Sequence, residues 1–280
     1  MITNYHTHTR FCDGKNSAQE MLESAIAHGI DILGFSAHAM YPFASFWHLA
    51  PRDYEAYAAE ITRLKKTYAE KITVLLGYEV DYLPPISVPD RARYAASGSS
   101  GGGADFLIGS VHYAAGGAFS ADGDVGEVAD GIKRYFNGDG KEFVRAYYRS
   151  VRDMIQTCDF DIAGHIDVIR KRNGVLKFFD ERDDWYMREI DETARTAAQK
   201  NIIVEINTGG IARAVIDDVY PSRDFLKLLK KYGVPVMINS DAHDADSICR
   251  AFDLAARRAR GAGYDQTVYL VGGKRFANPL

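Results

Sequence analysis

Short apolar runs alternate with longer amphipathic stretches along the chain, and this alternation restricts the possible folds more than any other sequence feature. Apolar runs of strand length occur at seven places, residues 2–5, 32–36, 74–77, 106–110, 161–164, 202–207 and 234–239. Because segments with helical spacing of apolar residues lie between most of these runs, the pattern indicates repeated β-α units around a parallel sheet. We therefore predict a parallel α/β barrel of seven strands.

The segments between the predicted strands carry the usual signals of helix ends. Ser17 and Glu20 form a capping-box pattern that opens a helix to about residues 28–29, and Gly233 caps a helix over residues 222–232. Apolar periodicity predicts further helices over residues 51–71, 141–157, 183–200 and about 248–259. Two stretches are expected to be irregular, residues 83–104, with a flexible-linker composition over 97–103, and residues 114–140.

Composition excludes several classes of partner. The chain has 34 Lys and Arg against 38 Asp and Glu, a net charge of −4, which argues against nucleic acid as a partner. No apolar run approaches the roughly 20 residues of a membrane span, and no secretory signal is recognised. Three cysteines without CxxC spacing, Cys12, Cys158 and Cys249, indicate a reducing, cytoplasmic location. We expect residues 1–280 to form one domain.

Six of the eight histidines lie at or just past the end of a predicted strand, and two acidic residues share that position. The histidines are His6, His8, His38, His112, His165 and His243, and the acids are Glu79 and Asp241. In a parallel barrel the carboxyl ends of all strands gather at one face, where the active sites of such folds lie. We therefore expect these eight side chains to converge.

The residue types in this group suit metal binding. Imidazole and carboxylate together form a ligand set for zinc, iron or manganese. His6 and His8 project from the same side of an extended segment, as do Asp241 and His243. The two oxygens of Glu79 can bridge metals about 3.5–4 Å apart, as two-metal phosphoryl-transfer sites require.

The alternative is that each histidine only forms hydrogen bonds at a strand end, which is the more common role of a lone histidine. Because eight such residues all lie at predicted strand ends, we favour metal binding over that alternative. His28 lies in the last turn of a predicted helix, where a cation suits the helix dipole, and His48 lies in an aromatic loop. Neither of these two is predicted to bind metal.

The arrangement resembles the PHP (polymerase and histidinol phosphatase) family over nearly the whole chain. The motifs that carry the resemblance are His6-Thr7-His8, His38, Glu79, Gly109-Ser110-Val111-His112, Gly164-His165 and Ser240-Asp241-Ala242-His243. Residues 12–16, 205–209 and 220–222 are similar to the stand-alone histidinol-phosphatase branch. The resemblance implies an α/β fold, a distorted TIM-like (β/α)7 barrel with a metal site at the carboxyl ends of its strands.

The resemblance also implies two to three divalent metal ions, zinc, iron or manganese. It gives the first ion the ligands His6, His8, Glu79 and Asp241. It gives the second ion Glu79, His112 and His165. The third ion would bind His38, His243 and a residue from the loop after His8, where many relatives have a histidine and this chain offers Asp13. This departure leaves the occupancy and identity of the third metal open.

A phosphorylated substrate also needs cationic donors. Arg213 follows the sixth strand, and a guanidinium group matches phosphate oxygens bidentately; the resemblance supports Arg213 as a phosphate ligand. Arg170 is a second candidate for substrate binding. Asp81 is a candidate contact for a substrate ammonium, or else a solvated loop residue. The aromatic loop residues either wall a substrate imidazole or pack the barrel rim; they are Tyr41, Phe43, Phe46, Trp47 and His48.

The expected reaction is hydrolysis of a small phosphate monoester by a metal-bound hydroxide, with Arg213 stabilising the phosphoryl charge. Asp241 is assigned to orient the attacking water, and His243 or a neighbouring acid to assist the leaving alkoxide. By the resemblance, the small phosphorylated metabolite is L-histidinol phosphate, in histidine biosynthesis. The alternatives are a PHP-type phosphoesterase acting on a nucleotide, nucleic acid or phosphotyrosine, and a non-catalytic metal-binding module. The oligomeric state stays open.

Overall fold

The computed structural model of the chain describes residues 1–39, 41, 45–95 and 103–280. Within these residues a main sheet is formed by β1 (Thr3–Asn4), β2 (Ile32–His38), β3 (Thr73–Asp81), β4 (Phe106–Ser110), β7 (Ile162–Ala163), β8 (Ile203–Asn207) and β9 (Val236–Asn239). These seven strands are neighbours in that order, and every pair is parallel. The predicted α/β barrel of seven strands is confirmed.

Helices surround this sheet and mostly connect consecutive strands. The described residues contain α1 (Ala18–Ala27), α2 (Tyr54–Thr67), α3 (Val125–Tyr135), α4 (Gly140–Thr157), α5 (Asn173–Leu176), α6 (Asp184–Lys200), α7 (Gly209–Ala212), α8 (Arg223–Lys231) and α9 (Phe252–Gly261). Short 3-10 segments lie at Pro51–Asp53, Arg91–Tyr94, Ala115–Gly117, Val168–Arg172 and Ala245–Ser247. None of the helices in the described part of the chain is long and apolar enough to span a membrane.

The first and last strands are joined just past their carboxyl ends. Thr7 pairs with Ala242 in an isolated parallel bridge. The His8 amide donates to the Ala242 carbonyl at 2.8 Å, and the Ala242 amide donates to the His6 carbonyl at 3.2 Å. The barrel is therefore nearly closed, and the segment that carries the two early histidines lies beside the segment that carries Asp241.

Strand β3 extends further than its apolar run. It was predicted to end at residue 77, and that boundary is wrong because the parallel pairing with β4 continues to Asp81 and Ser110. His38 pairs with Glu79 in the register between β2 and β3. The side chains of both residues therefore project from regular strands, which hold them more rigidly than loops would.

The barrel interior below these strand ends is apolar. A buried cluster is formed mainly by residues near the start of the strands, namely Tyr5, Ile32, Leu75, Phe106, Ile108, Ile162, Ile203, Met237, Val268 and Leu270. The ring of Phe106 lies where larger side chains on β2 and β3 would point. A Cβ atom would lie 2.6 Å from this ring at Gly34 and 2.4 Å from it at Gly77. Glycine at both positions thus makes room for the phenylalanine.

A hairpin that was not predicted covers the amino-terminal end of the barrel. It consists of β10 (Gln266–Val271) and β11 (Lys274–Pro279), joined at Gly272 and Gly273, which both have positive φ. A Gly-Gly pair of this kind is a hairpin-turn signal. The Tyr5 hydroxyl donates to the Leu270 carbonyl at 2.7 Å and accepts from the Leu270 amide at 2.9 Å.

The prediction of an irregular stretch over residues 114–140 is wrong. The segment contains α3 and most of a small hairpin, β5 (Tyr113–Ala114) with β6 (Phe119–Ser120). Asp124 caps α3 by accepting from the Glu127 amide at 2.8 Å, and Val128 and Ile132 bury its inner face. The Asp-x-x-Glu pattern was therefore the overlooked signal. The linker-like residues predicted at 97–103 lie almost wholly outside the described residues.

The predicted capping box at the start of α1 is present. The Ser17 hydroxyl accepts from the Glu20 amide at 3.2 Å, and the Glu20 carboxylate accepts from the Ser17 amide at 2.7 Å. We expect Ser17→Ala to lower the free energy of unfolding by about 1 kcal/mol, because the Glu20 amide loses the hydroxyl oxygen that accepts its hydrogen bond. Urea denaturation of the wild type and the variant measures this change.

Ser150→Ala is the matched control for that prediction. The Ser150 hydroxyl donates to the Ala146 carbonyl inside α4, where serine is a weaker helix former than alanine. Its replacement should change the free energy of unfolding by less than about 0.5 kcal/mol. Equal losses in the two variants would contradict a special role for the cap.

Candidate metal centre

The structure brings the nine predicted ligands together at the carboxyl ends of the barrel strands. They are His6, His8, Asp13, His38, Glu79, His112, His165, Asp241 and His243. Most are buried, and the side chains of Asp13 and His243 are the most open, at 26% and 21% exposure. Within several sets of three or four of these residues, the potential donor atoms lie within 4.8 Å of one another.

Glu79 lies at the centre of this cluster. Its Oε2 is 3.2 Å from His6 Nε2 and 2.9 Å from His38 Nδ1. Its Oε1 is 3.0 Å from His165 Nε2 and 3.6 Å from His112 Nε2. Oε2 also lies 3.6 Å from His8 Nε2. The two oxygens therefore face different histidines, which is the geometry of a carboxylate that can bridge two ions.

Asp241 completes one side of the cluster. Its Oδ1 is 3.3 Å from His8 Nε2 and 3.6 Å from His6 Nε2. Its Oδ2 accepts from Arg213 Nη2 at 2.8 Å, and its carbonyl accepts from Arg213 Nη1 at 3.1 Å. The backbone of Asp241 has φ of 51°, a left-handed conformation that is uncommon for residues other than glycine. This conformation and the arginine together direct Oδ1 toward the histidines.

Asp13 supplies a carboxylate to the other side, where a ligand from the loop after His8 was expected. Its Oδ2 is 3.2 Å from His243 Nε2. Its Oδ1 is 3.8 Å from both His38 Nε2 and His8 Nδ1. The two Oδ1 distances are longer than any given for Glu79, and this part of the cluster is the most open to solvent.

Several atoms that face the centre of the cluster are buried without a hydrogen-bond partner. Among the described residues they include His6 Nε2, His8 Nε2, His38 Nδ1, Asp13 Oδ1 and Glu79 Oε2. An unpaired buried polar group costs about 1–3 kcal/mol, so such a concentration at one place is unfavourable for hydrogen bonding alone. The same atoms form an imidazole and carboxylate donor set, which fits zinc, iron or manganese.

The electrostatics of the cluster favour ionised carboxylates but affect the histidines differently. Although burial lowers the pKa of His6, His38 and His112, the carboxylates that face them outweigh it and raise each pKa above its ordinary value. Burial raises the pKa of Glu79, but the facing histidines outweigh it and hold this pKa well below its ordinary value. Burial likewise raises the pKa of Asp241, and Arg213 is the largest opposing influence that leaves it well below the usual range. Burial and the neighbouring His243 lower the pKa of His8 to about 3. At neutral pH the two carboxylates are therefore ionised and His8 is neutral, whereas a metal ion would displace a proton from each histidine with a raised pKa.

Asp81 does not contact the space where a substrate would lie. Its side chain is only 2% exposed, and its Oδ1 lies 2.6 Å from His112 Nδ1. Its Oδ2 lies 3.3 Å from His48 Nε2. The predicted contact with a substrate ammonium is therefore corrected: because strand β3 continues through this residue, Asp81 points inward and orients His112.

A cavity of about 530 Å³ opens over the cluster, and Glu79, Asp241 and His243 are among the residues at its base. Two aromatic side chains, Trp47 of the predicted aromatic loop and Tyr113 of β5, lie in its wall with stacked rings 5.6 Å apart. The wall also contains the exposed Phe46 and three acidic residues, Asp122, Asp124 and Glu127. Of the other predicted loop residues, Tyr41 and His48 line a separate cavity, and Phe43 lies outside the described residues.

The two predicted phosphate ligands differ in position. Arg213 lines the cavity, whereas Arg170 is not among the described residues that line it. The Arg170 guanidinium is held by Glu181 at 2.7 Å and by Asp167 at 3.5 Å, so the predicted substrate contact is corrected to a structural one. The next two residues, Lys171 and Arg172, line the cavity instead.

Comparison with known families identifies the family to which the chain belongs. The PHP domain pattern matches residues 4–209, which is most of the chain. The chain belongs to the PHP domain family. The matched span contains the ligand candidates from His6 to His165, and Asp241 and His243 follow it.

Individual relatives agree with this membership. The chain is 25% identical over 261 residues to a probable histidinol-phosphatase of Deinococcus radiodurans, covering 92% of each chain. It is 25% identical to the histidinol-phosphatase of Bacillus subtilis, covering 90% of this chain and 97% of the relative. A crystal structure of histidinol phosphate phosphatase from Lactococcus lactis, complexed with zinc, L-histidinol and phosphate, has a TM-score of 0.73 at 22% identity and covers 98% of both chains. The PHP barrel fold is thus shared.

One buried carboxylate of this PHP centre was not predicted. Glu205 is fully buried in β8, and its Oε2 lies 2.9 Å from His6 Nδ1. The available signal was a charged residue within an otherwise apolar strand, because a buried charge needs specific partners. Lys171 and Arg172 were missed as cavity residues because nothing in their spacing distinguishes them from Arg170.

Proposed function

We propose that this chain hydrolyses L-histidinol phosphate to L-histidinol and phosphate. The observation that carries the proposal is that the cavity over the histidine and carboxylate cluster also contains Arg213, so ligands for divalent metals and a phosphate-binding cation share one space. The names of the relatives from Deinococcus radiodurans and Bacillus subtilis support the choice of substrate.

We assign the ligands as the distances group them. His6, His8, Glu79 and Asp241 would hold the first ion. Glu79, His112 and His165 would hold the second. His38, His243 and Asp13 would hold a third, and His8 Nδ1 also faces Asp13. The ions would be zinc, iron or manganese, and zinc accompanies the Lactococcus lactis relative.

Bound ions of this kind lower the pKa of water and neutralise charge on phosphoryl oxygens. The chain contributes the rest of the chemistry. Arg213 donates hydrogen bonds to the phosphoryl oxygens, and its contacts with Asp241 fix the direction of the guanidinium group. The ionised Asp241 carboxylate accepts a hydrogen bond from the attacking water and orients it. His243 also lies in the cavity wall. In a form of the protein without the third ion, the His243 ring is free to donate a proton to the leaving alkoxide.

The remaining cavity wall fits the other groups of the substrate. L-Histidinol phosphate has a flat imidazole and a cationic ammonium in addition to its phosphate. The stacked Trp47 and Tyr113 provide a flat aromatic surface for the ring. Asp124 and Glu127 provide negative charge for the ammonium, a role that had been predicted for Asp81.

A substrate panel tests this proposal. We expect kcat/KM for L-histidinol phosphate to exceed that for glycerol phosphate and p-nitrophenyl phosphate by at least about tenfold, because pocket contacts are each worth about 1–3 kcal/mol. A chelator should remove activity toward all three substrates. Elemental analysis of protein purified without chelator should find about two to three equivalents of metal.

The two halves of the proposal can be overturned separately. Equal kcat/KM values for the three substrates would exclude the biosynthetic substrate and leave a general phosphoesterase. Full activity in protein with less than about one equivalent of metal would exclude the metal cluster as the source of catalysis.

A further inference from the structure

Glu205 connects four strand ends directly beneath the metal centre. It is 0% exposed. Its Oε1 accepts from the His165 amide at 2.7 Å and from Asn207 Nδ2 at 2.8 Å. Its Oε2 accepts from Asn239 Nδ2 at 2.9 Å and lies 2.9 Å from His6 Nδ1. A single carboxylate therefore receives hydrogen bonds from residues at the ends of β7, β8 and β9 and contacts the histidine after β1.

The orientation of both asparagine amides is determined by their other contacts. Asn207 Oδ1 accepts from the Gly209 amide at 2.8 Å, and Asn239 Oδ1 accepts from the Tyr5 amide at 2.8 Å. Because backbone amides only donate, each asparagine oxygen must face its amide and each Nδ2 must face Glu205. These partners of the carboxylate are thus all donors, and such a set suits an ionised carboxylate.

The same set determines the tautomer of His6. Since the Glu205 carboxylate acts as an acceptor, His6 Nδ1 carries the hydrogen and donates it. In the neutral ring, which is the form that binds a metal, His6 Nε2 then carries the lone pair, and this atom lies 3.2 Å from Glu79 Oε2 and 3.6 Å from Asp241 Oδ1. A histidine ligand whose second nitrogen is held by a carboxylate is a common device for orienting the ring and raising its basicity.

We propose that Glu205 is a positioning residue that holds His6 in the tautomer and ring orientation needed to bind the first metal ion. The proposal rests on the ligand assignment made under Proposed function, but it does not depend on the identity of the substrate. It assigns to Glu205 a direct effect on metal affinity in addition to any contribution to the stability of the barrel.

Glu205→Gln is the first test. The amide oxygen would remain with His165 and Asn207, 3.1 Å from His6 Nδ1. The amide nitrogen would replace Oε2, which is the nearer oxygen to His6 Nδ1 at 2.9 Å and which also contacts Asn239. We expect the affinity of one zinc equivalent to fall by about 10–100-fold. Calorimetric titration of chelator-treated protein with zinc measures this affinity. Glu189→Gln is the matched control, because Glu189 is a mostly buried carboxylate paired with Arg152 away from the cluster, and its zinc affinity should equal that of the wild type.

A second variant separates positioning from stability. In Glu205→Gln the new amide would face the Nδ2 of Asn239, and this clash of donors by itself destabilises the protein. The double variant E205Q/N239D restores a donor and acceptor pair at this contact and keeps the net charge of the wild type. We expect it to regain part of the thermal stability of the metal-free protein without regaining zinc affinity, because His6 still faces an amide nitrogen.

The outcomes are distinct. Zinc affinity that recovers together with stability in the double variant, or that is unchanged in Glu205→Gln, would overturn the positioning role. A wild-type chain that binds no zinc, iron or manganese would instead overturn the ligand assignment on which the proposal rests.

Discussion

Glu79→Gln is expected to lower kcat/KM for L-histidinol phosphate by about a thousandfold or more. Glu79 faces five histidines with its two oxygens, and glutamine removes the negative charge and one of the two ligand oxygens. A site that stabilises the transition state through bridged ions depends on several kcal/mol of charge stabilisation, and a loss of about 4 kcal/mol corresponds to this factor. Steady-state kinetics measures the change, and elemental analysis should show that less metal is bound.

Asp13→Asn is the comparison variant. Asp13 belongs to the most open part of the cluster, and its oxygens lie 3.2–3.8 Å from their histidines. We expect a clearly smaller loss of activity than for Glu79→Gln, because only the third ion is assigned to this carboxylate. If Asp13→Asn abolishes turnover while Glu79→Gln is mild, the assignment of the bridging ligand is wrong.

Arg213→Ala is expected to lower kcat/KM for L-histidinol phosphate by about 30–1000-fold. This range corresponds to the roughly 2–4 kcal/mol that one charged donor to a transition state is worth. The arginine lines the cavity next to Asp241, so its guanidinium can reach phosphoryl oxygens over the cluster. We expect the metal content to stay unchanged, because the ligand atoms of Asp241 and the histidines remain.

Inorganic phosphate provides a second readout for the same residue. If Arg213 binds the phosphoryl group, product inhibition by phosphate should weaken in Arg213→Ala, and Arg213→Lys should recover part of both effects because it keeps the charge but not the paired donors. A different pattern would contradict phosphate binding. Lost metal with unchanged phosphate inhibition would mean that Arg213 serves mainly to hold Asp241.

The grouping of the candidate metal ligands could be predicted from the sequence because it depends on topology alone. Any chain that forms a parallel barrel brings its strand ends to one face, whatever the exact length of each strand. The error at the end of β3 therefore left Glu79 correctly grouped with the histidines. The same error did matter for Asp81, because a residue two positions further along a strand points to the same face and packs against His112, whereas a loop residue is free to reach a substrate.

The cavity wall could not be predicted because it depends on the direction of individual side chains. Arg170, Lys171 and Arg172 share one 3-10 segment, Val168–Arg172, in which each residue is rotated by about a third of a turn from the last. Arg170 consequently faces Glu181, whereas Lys171 and Arg172 face the cavity. The partners of Glu205 could not be predicted either, because they come from four separate strand ends.

The bridge between Thr7 and Ala242 links the folding of the two ends of the barrel to the integrity of the metal centre. If β9 separates from the sheet, Asp241 and His243 leave together with the contact that closes the barrel. Release of ions and opening of the fold would then be one cooperative event. Ions bound by His6, His8 and Asp241 would oppose this opening directly, so the concentration of free metal would set how often the barrel opens.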